Sequence, residues 1–245
     1  MSAKENKNKK LILALDVAEK SRALELVDRF GGRVDIFKVG LELFTAEGPS
    51  VVREIQARGK KVFLDLKFHD IPNTVARAAR AAARLGVFMF NIHASAGSEA
   101  MRRARDEVVA FSLKEDLPRP LILAVTVLTS QDREILKTEL GIQHGLRTHV
   151  KHLAGLAMES GLDGVVASGQ EVSMIKERLG CKFLIVTPGI RPSSSPQDDQ
   201  KRTMSPREAL RAGADFIVLG RAVTGQADPE RALEQISLEI TTVQR

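Results

Sequence analysis

The hydrophobic pattern of this chain consists of short apolar runs that recur from one end of the sequence to the other. They are rich in Val, Ile, Leu and Phe, and most end near a Gly, Pro, Asp, Ser or Thr residue. Continuous apolar runs of this length are typical of strands buried on both faces, as in a parallel sheet. The runs are LILALDV (11–17), VDIFKVG (34–40), KVFLDLK (61–67), VFMFNIH (87–93), LILAVTVL (121–128), GVVAS (164–168), FLIVTPG (183–189) and FIVLG (216–220).

Segments with helical periodicity lie between these runs. In residues 19–30 the apolar side chains fall on one stripe, which predicts a helix with one buried face. Pro residues begin two further segments, where their fixed backbone suits a first helical turn. The stripe is Ala23, Leu26, Val27 and Phe30, and the further helical segments are residues 72–85, 147–160 and 206–212.

Strands that alternate with helices predict right-handed βαβ units. Eight such units in 245 residues favour a closed barrel over an open doubly wound sheet. We therefore predict an α/β fold, a single-domain (β/α)8 TIM barrel over residues 11–245, after a flexible Lys-rich leader at residues 1–10. Residues 191–202, RPSSSPQDDQKR, are the most loop-like stretch. They are either a lid, a binding element or a tolerated surface insertion.

Composition and charge narrow the classes of function. The formal net charge is +6, but the first ten residues hold four Lys and one Glu, so half of the excess lies in the leader. Trp and Tyr are absent, which removes the usual stacking platforms for nucleic acid. No apolar run approaches the roughly 20 residues of a membrane span, and the single Cys181 suits a reducing compartment. We expect a cytoplasmic protein that binds neither nucleic acid nor membrane.

The segment DLKFHDIPNTV (65–75) places charges directly after an apolar run. Active sites of such barrels lie at the C-terminal ends of the strands. Because strand side chains alternate, Asp65 and Lys67 point to the same side. If Leu64 and Leu66 face the helices, the two charges face the barrel axis. An internal ion pair is the simpler interpretation of this spacing.

Charges at the ends of neighbouring strands favour a functional interpretation. Asp16 and Lys38 would bring the mouth of the barrel to four alternating charges, which are expensive to desolvate without a use. Other polar residues at strand ends are His93, Thr126, Thr129, Ser168, Thr187 and Arg221.

The last two strands are followed by Gly- and Arg-containing loops, VTPGIRP (186–192) and VLGRAVTG (218–225). Loops after strands seven and eight form the recurrent phosphate site of these barrels. Backbone amides together with the guanidinium groups of Arg191 and Arg221 suit a dianion. The two loops together predict phosphate binding.

These residues resemble a known family. DLKFHDIPNTV, together with LALD, FKVG, AVTVLTS, VTPGIRP, DDQKR and VLGRAVT, closely resembles the orotidine 5′-phosphate decarboxylases of the bacterial type. The blocks keep the family's order from residue 11 to about 225, and DLKFHDIPNT is a highly specific string. The resemblance implies decarboxylation of orotidine 5′-monophosphate (OMP) to UMP, the last step of de novo pyrimidine synthesis. It also implies a homodimer without cofactor or metal, with an active site shared across the interface.

The resemblance implies a role for each matching residue. Lys67 would protonate C6 of the pyrimidine, and Asp65 would lie beside the departing carboxylate. Asp70, Ile71 and Thr74 would come from the partner subunit. The remaining matches are Asp16 and Lys38 at the ribose and in the charge array, Thr129 at the pyrimidine, Pro188 and Arg191 in the closing strand-seven loop, and Gln200, Gly220 and Arg221 at the phosphate. Ala96 stands where the family commonly has Gly, and we expect no catalytic consequence.

The chemistry explains why such a reaction would use a lysine. Loss of CO2 leaves a carbanion at C6 that no neighbouring group delocalises well, so its charge must be met electrostatically. Two unit charges about 4 Å apart interact by roughly 4 kcal/mol at an effective dielectric of 20. That is below the roughly 8–23 kcal/mol of rate enhancement typical of enzymes. Binding of the remote phosphate would therefore have to contribute by holding the ring in place.

Two alternatives remain open at this point. Sugar-phosphate decarboxylases and synthases of the same wider group share D-x-K-x-x-D but use the carboxylates to bind Mg²⁺. A non-catalytic phosphate- or nucleotide-binding barrel is the other alternative. The match through FHDIPNT and DDQKR opposes the first, and a lysine between two carboxylates opposes the second.

The histidines and the cysteine have simpler explanations. His144, His149 and His152 fall on or near a charged helix, where a solvated face is expected rather than a metal site. His69 is expected to support its loop. His93 is either a mouth residue or a core histidine, and Cys181 precedes strand seven, at the wrong end of the barrel for chemistry.

Overall fold

A computed structural model describes residues 10–191 and 204–241 of the chain. The strands close into one parallel barrel in sequence order, with β8 hydrogen-bonded to β1. The predicted single-domain (β/α)8 barrel is therefore confirmed. The strands are β1 (Leu11–Ala14), β2 (Ile36–Gly40), β3 (Lys61–Phe68), β4 (Met89–His93), β5 (Leu121–Val125), β6 (Gly164–Val166), β7 (Leu184–Thr187) and β8 (Phe216–Leu219).

Helices surround the barrel and cover its outer surface. They are α1 (Lys20–Phe30), α2 (Leu41–Glu47), α3 (Pro49–Ala57), α4 (Pro72–Arg84), α5 (Ser98–Lys114), α6 (Arg133–Thr138), α7 (Leu146–Glu159), α8 (Val172–Leu179), α9 (Pro206–Arg211), α10 (Arg221–Thr224) and α11 (Pro229–Thr241). Among these helices, none is long and apolar enough to cross a membrane. Residues 1–9 of the expected leader, and most of the predicted 191–202 loop, lie outside the described residues.

The helices form where the sequence periodicity places an apolar stripe. In α1, the expected stripe residues Ala23, Leu26, Val27 and Phe30 are all buried. Helix α4 begins with Pro72, and its buried face is mostly alanine, so α5 can approach it closely. Burial of these faces, rather than helix propensity alone, holds the outer layer to the barrel.

Strand alternation divides the core into two layers. Most buried side chains lie between the sheet and the helices. A smaller cluster fills the barrel axis, and its members alternate along their strands with the outward-facing residues. This inner cluster is Ile12, Ala14, Ile36, Phe63, Met89, Leu123, Val186 and Val218.

Ion pairs at the N-terminal end of the barrel bind the backbone of neighbouring strands. Asp215 Oδ2 accepts hydrogen bonds from Lys176 Nζ (2.8 Å) and from the amide of Ile185 (2.8 Å). Asp163 similarly accepts from Arg119 Nη1 (2.9 Å) and from the amide of Ile122 (2.8 Å). These acids therefore join the second residue of one strand to the residue directly before the next strand.

Candidate active site

A cavity of about 310 Å³ opens at the C-terminal end of the barrel. Its floor is apolar and its walls carry charges and loop residues. Most of the residues predicted for the substrate site line it: Asp16, Lys38, Asp65, Lys67, Thr129, Pro188, Arg191, Gly220 and Arg221. Gln200, also predicted to contact the phosphate, lies outside the described residues.

Four charged side chains form a continuous array in this cavity. Lys38 Nζ lies 2.9 Å from Asp16 Oδ1 and 3.5 Å from Asp65 Oδ2. Lys67 Nζ lies 2.7 Å from the other oxygen of Asp65, Oδ1. The order is acid, base, acid, base, so each inner charge has an opposite charge on both sides. Such alternation offsets part of the cost of holding four charges together.

The array follows from strand alternation. Asp16, Lys38 and Asp65 each come two residues after an inner-cluster residue, namely Ala14, Ile36 and Phe63. The interior of the first three strands therefore changes from apolar to charged towards the mouth.

Lys38 is held in its charged form by its neighbours. Burial acts to lower the pKa of Lys38, but the carboxylates of Asp65 and Asp16 outweigh burial and raise the pKa above its usual value. The side chain is only 12% exposed, so the two carboxylates replace most of its hydration. Lys38 therefore supplies a permanent positive charge beside Asp65.

Lys67 reaches the cavity by a backbone conformation that the sequence pattern did not predict. Its φ angle is 52°, in the left-handed region that residues other than glycine rarely adopt. The pairing of β3 with β4 also shifts here, since Leu64 pairs with Phe90 but Phe68 pairs with Ile92. Three residues of β3 (65–67) therefore lie opposite a single residue of β4, Asn91. This bulge directs the side chain of Lys67 into the mouth of the barrel. Bulges next to active sites commonly re-aim a side chain in this way.

Asn91 lies opposite this bulge and was not identified from the sequence. It is fully buried, and its amide bonds both to Asp65 and to the backbone of Lys67. The sequence signal was a polar residue inside the apolar run VFMFNIH, two positions after Met89 of the inner cluster.

His93 ends β4 beside the array. Burial, together with the nearby His69 and Lys67, lowers the pKa of His93 to about 4. Its ring centroid lies 5.4 Å from that of His69. His93 is therefore uncharged near neutral pH, and it is a half-buried residue at the edge of the mouth rather than a fully buried core histidine.

The predicted partner-subunit residues lie on another side of the β3–α4 connection. Asp70, Ile71 and Thr74 are exposed, and Ile71 retains 66% of its surface although it is apolar. Asp70 Oδ1 accepts a hydrogen bond from the Ile71 amide (2.6 Å). Asp70 and Thr74 line a second, shallower depression that also includes Lys67. Within one chain, these three residues do not line the Asp65–Lys67 cavity.

The loops after β7 and β8 close the opposite side of the cavity. The amide of Arg191 donates to the Met204 carbonyl (3.0 Å), which ties together the two ends of the connecting segment. Gly220 begins α10, and a Cβ at this position would lie 3.3 Å from Asp16 Oδ2. The absence of a side chain at Gly220 thus keeps this wall of the cavity open.

Two other polar strand-end residues, Thr126 and Ser168, form hydrogen bonds within the fold. Thr126 Oγ1 donates to the Val166 carbonyl (3.1 Å), and Ser168 caps a short 3-10 turn in a capping box with Glu171. In residues 10–191 and 204–241, no group of three His, Cys, Asp or Glu side chains is arranged to hold a metal ion. His144 and His152 are exposed and His149 is half-buried.

Comparisons with known proteins support the resemblance over nearly the whole chain. A sequence model of the "Orotidine 5'-phosphate decarboxylase / HUMPS family" matches residues 9–236. The orotidine 5′-phosphate decarboxylase of Moorella thermoacetica is 51% identical over 234 residues, covering 96% of this chain and 93% of that protein. That of Salmonella typhimurium is 48% identical over 230 residues, covering 94% of this chain and 92% of that protein.

Solved structures agree in fold. The crystal structure of orotidine 5′-phosphate decarboxylase from Lactobacillus acidophilus has a TM-score of 0.83 and 37% identity, covering 95% of this chain and 99% of that chain. An uncharacterized conserved protein from Geobacillus kaustophilus has a TM-score of 0.81 and 41% identity, covering 94% and 99%.

Proposed function

This chain belongs to the orotidine 5′-phosphate decarboxylase / HUMPS family and is a carboxy-lyase, and we propose that it decarboxylates OMP without a metal, with Lys67 as the proton donor. The decarboxylation of OMP to UMP and CO2 in pyrimidine synthesis follows from the family and the relatives. The observation that supports the metal-free mechanism is the alternating array of Asp16, Lys38, Asp65 and Lys67.

The proposed reaction needs one proton and no redox step. The bond between C6 and the carboxyl carbon breaks, CO2 leaves, and the electron pair remains on C6. Lys67 Nζ transfers one of its protons to C6, which gives UMP, and the resulting amine regains a proton from water. An ammonium preorganised at the developing carbanion stabilises the charge as it forms.

Asp65 has two roles in this proposal. It holds the ammonium group of Lys67 in place, through the 2.7 Å contact. It would also lie beside the substrate carboxylate, where repulsion between like charges would be relieved as CO2 departs. Lys38, on its other side, holds the second oxygen and keeps Asp65 from turning away.

The rest of the cavity suits a nucleotide monophosphate. We propose that Asp16 and Lys38 contact the ribose hydroxyls and that Thr129 and Pro188 lie beside the pyrimidine. The phosphate would be bound by Arg191, Gln200, Gly220 and Arg221. All of these except Gln200 line the same described cavity, and Asp16, at one end of the array, lies beside Gly220.

We also propose that the working unit is a homodimer in which Asp70, Ile71 and Thr74 enter the partner's site. All three residues are exposed and none of them lines the chain's own cavity, which leaves them accessible to a second copy. A second copy of the chain is the partner that the resemblance implies.

The Mg²⁺-dependent alternative is weakened by the geometry around Asp65. Both of its oxygens face ammonium groups, and Oδ1 also accepts from Asn91. A divalent cation would have to displace or repel these ammonium groups to reach the carboxylate. Repulsion between like charges would oppose the binding of Mg²⁺ there.

The test is turnover of OMP by protein freed of metal with EDTA, followed by the appearance of UMP and CO2. We expect full activity with EDTA and no turnover of ketose phosphates with added Mg²⁺. Loss of OMP turnover on chelation, restored by Mg²⁺, would overturn the metal-free mechanism. Turnover of a sugar phosphate but not of OMP would overturn the substrate assignment.

A further inference from the structure

Asn91 is a fully buried amide in the interior of β4, and its hydrogen bonds go to the catalytic segment of β3. Its Oδ1 accepts from the backbone amide of Lys67 (2.8 Å), and its Nδ2 donates to Asp65 Oδ1 (2.7 Å). A buried polar group in a barrel core is costly unless it is hydrogen-bonded, and both groups of this amide are used.

The chemistry of the partners settles which way the amide points. The backbone N–H of Lys67 can only donate, so the atom facing it must be the oxygen of Asn91. The nitrogen then faces Asp65, whose carboxylate can accept. Asn91 is thus matched on both sides, through its oxygen at the Lys67 amide and its nitrogen at Asp65. An ionised carboxylate could not donate to Asp65, and a hydroxyl would have to serve both partners from a single oxygen atom.

The position of Asn91 coincides with the irregularity in the sheet. Residues 65–67 lie between the paired residues Leu64 and Phe68, opposite Asn91 alone. The amide of Lys67 therefore bonds to a side chain of β4 in place of a strand carbonyl. Lys67 is also the residue with the left-handed φ angle of 52°. Because this conformation is strained for a residue other than glycine, surrounding contacts have to maintain it.

The hydrogen bonds close a ring. Asp65 Oδ1 accepts from Lys67 Nζ (2.7 Å) as well as from Asn91, and Asn91 returns to the Lys67 backbone. The ring links the backbone conformation of Lys67 to the direction of its own ammonium group. A substitution at Asn91 would therefore release both the backbone conformation of Lys67 and the direction of its ammonium group.

We propose that Asn91 is a positioning residue of this site, which holds the Lys67 backbone in its left-handed conformation and fixes Asp65 against the Lys67 ammonium. The proposal rests on the proposed function, in which Lys67 delivers the proton. Asn91 itself touches no substrate in this proposal. It acts through the placement of two residues that do.

The first experiment replaces Asn91 by Ala and measures kcat and KM for OMP separately. We expect kcat to fall about 10²-fold, as for a misplacement of about 1 Å of a reacting group. The KM should stay near the wild-type value, because the phosphate and ribose contacts lie on other strands. Ser160→Ala is the control, since Ser160 is also fully buried and polar but lies at the end of α7.

The second experiment measures the Lys67 amide directly by hydrogen exchange in the free protein. We expect faster exchange of this amide in Asn91→Ala than in the wild type and in Ser160→Ala. This readout does not depend on the reaction. If the wild type fails to decarboxylate OMP, the proposed function fails while the exchange result still tests the role of Asn91.

A second variant, Asn91→Asp, keeps the shape of the side chain and replaces the alanine variant in the test if that variant does not fold. Its carboxyl can still accept from the Lys67 amide but, when ionised, repels Asp65. The other groups around it are Lys67 on β3, Lys38 beyond Asp65, and His93 on β4. Lowering the pH should protonate the introduced carboxyl and let it donate to Asp65, so the ratio of variant to wild-type kcat should rise.

Several outcomes would overturn the proposal. A folded Asn91→Ala with wild-type kcat, or with unchanged protection of the Lys67 amide, would do so. Equal losses in kcat and in substrate affinity, matched by a fall in melting temperature and no pH effect in Asn91→Asp, would show a general loosening of the barrel instead.

Discussion

The two ends of the barrel carry the same types of charged residue in opposite roles. At the N-terminal end, Lys176 Nζ donates to Asp215 and also to the carbonyls of Cys181 (3.1 Å) and Phe183 (2.8 Å). Asp215 in turn accepts from the Ile185 amide. All of these groups are bound to the backbone of adjacent segments, so they serve the closure of the barrel.

At the C-terminal end, the charges are bonded mainly to one another. In the described residues, Lys67 Nζ contacts Asp65, and Lys38 Nζ contacts Asp16 and Asp65. Each ammonium keeps donors directed towards a cavity instead of towards carbonyl groups. The comparison teaches that the residue type at a strand end does not distinguish structure from chemistry. The hydrogen-bond partner of the residue does distinguish them. A charged group that is bonded to the backbone holds the fold together, whereas one that is bonded only to other side chains beside a cavity is available to a ligand.

The largest expected effect comes from Lys67→Ala. It should lower kcat more than about 10⁴-fold, because it removes the proposed proton donor and, with it, the positive charge proposed to stabilise the carbanion. The free energy of unfolding should change by less than about 1 kcal/mol, since the pair is partly exposed and Asp65 keeps Lys38 and Asn91 as partners. Kinetic assays measure the kcat, and chemical denaturation measures the free energy of unfolding.

The matched control for this variant is Lys61→Ala. Lys61 is an exposed residue of the same strand at its opposite end, where its ammonium lies 4.6 Å from the centroid of the Phe88 ring. The Lys61→Ala variant should retain the wild-type kcat. Turnover by Lys67→Ala at the wild-type rate would contradict the assignment of the proton donor.

The next prediction tests whether the mouth is completed by a second chain. Lys67→Ala and Asp70→Ala should each be nearly inactive as purified variants. If the two residues meet across a two-fold interface, a mixed dimer contains one doubly altered site and one intact site. Random exchange of subunits should then restore about a quarter of wild-type activity. No recovery after exchange, although mixed dimers form, would place Asp70 and Lys67 in the same chain's site.

The N-terminal end should show the reverse pattern. Asp215→Ala removes the acceptor for both the Lys176 ammonium and the Ile185 amide. We expect a loss of about 1–3 kcal/mol in the free energy of unfolding, because buried donors are left unsatisfied. The kcat of the folded protein should not change. The control is Asp215→Asn, which keeps an oxygen acceptor and should therefore lose less stability. If the fully folded Asp215→Ala protein showed a lower kcat, the charges at the N-terminal end would not be purely structural.

The sequence was sufficient to predict the barrel because its evidence is repeated along the chain. Each apolar run became a strand, and the stripe at Ala23, Leu26, Val27 and Phe30 became the buried face of α1. Strand alternation also predicted that Asp65 would point inward with Phe63. All strands except β3 are shorter than their runs, as for 11–17, where β1 ends at Ala14 although the next residue, Leu15, is still buried.

The local geometry at Lys67 could not be read from the pattern. Simple alternation assigns Lys67 to the inner side, but the residue reaches the cavity through a left-handed turn and a register shift. Asn91 was missed for the same reason, since a single polar residue in an apolar run has no partner in the sequence. Only the pairing of β3 with β4 brings it opposite residues 65–67.

The smallest expected effect at neutral pH concerns His93, which ends β4 and is half-buried beside the charged array. Its pKa in the folded protein is about 4, against 6.5 for the ordinary side chain. Above pH 6.5 the histidine is neutral in both states, so its contribution to stability is complete. As the pH falls from 6.5 to 4, the unfolded chain binds a proton that the folded protein does not bind, so stability is lost. Because the side chain is partly exposed, screening by water keeps the slope well below the limit of about 1.4 kcal/mol per pH unit. His93→Gln should flatten this part of the curve of unfolding free energy against pH, relative to the wild type.

Because the other titrating groups are common to both proteins, an unchanged difference between the two curves from pH 6.5 to 4 would show that His93 is hydrated and titrates normally. In that case the mouth would contain a further cation in weak acid, and the distinction between its structural and its chemical residues would have to be redrawn.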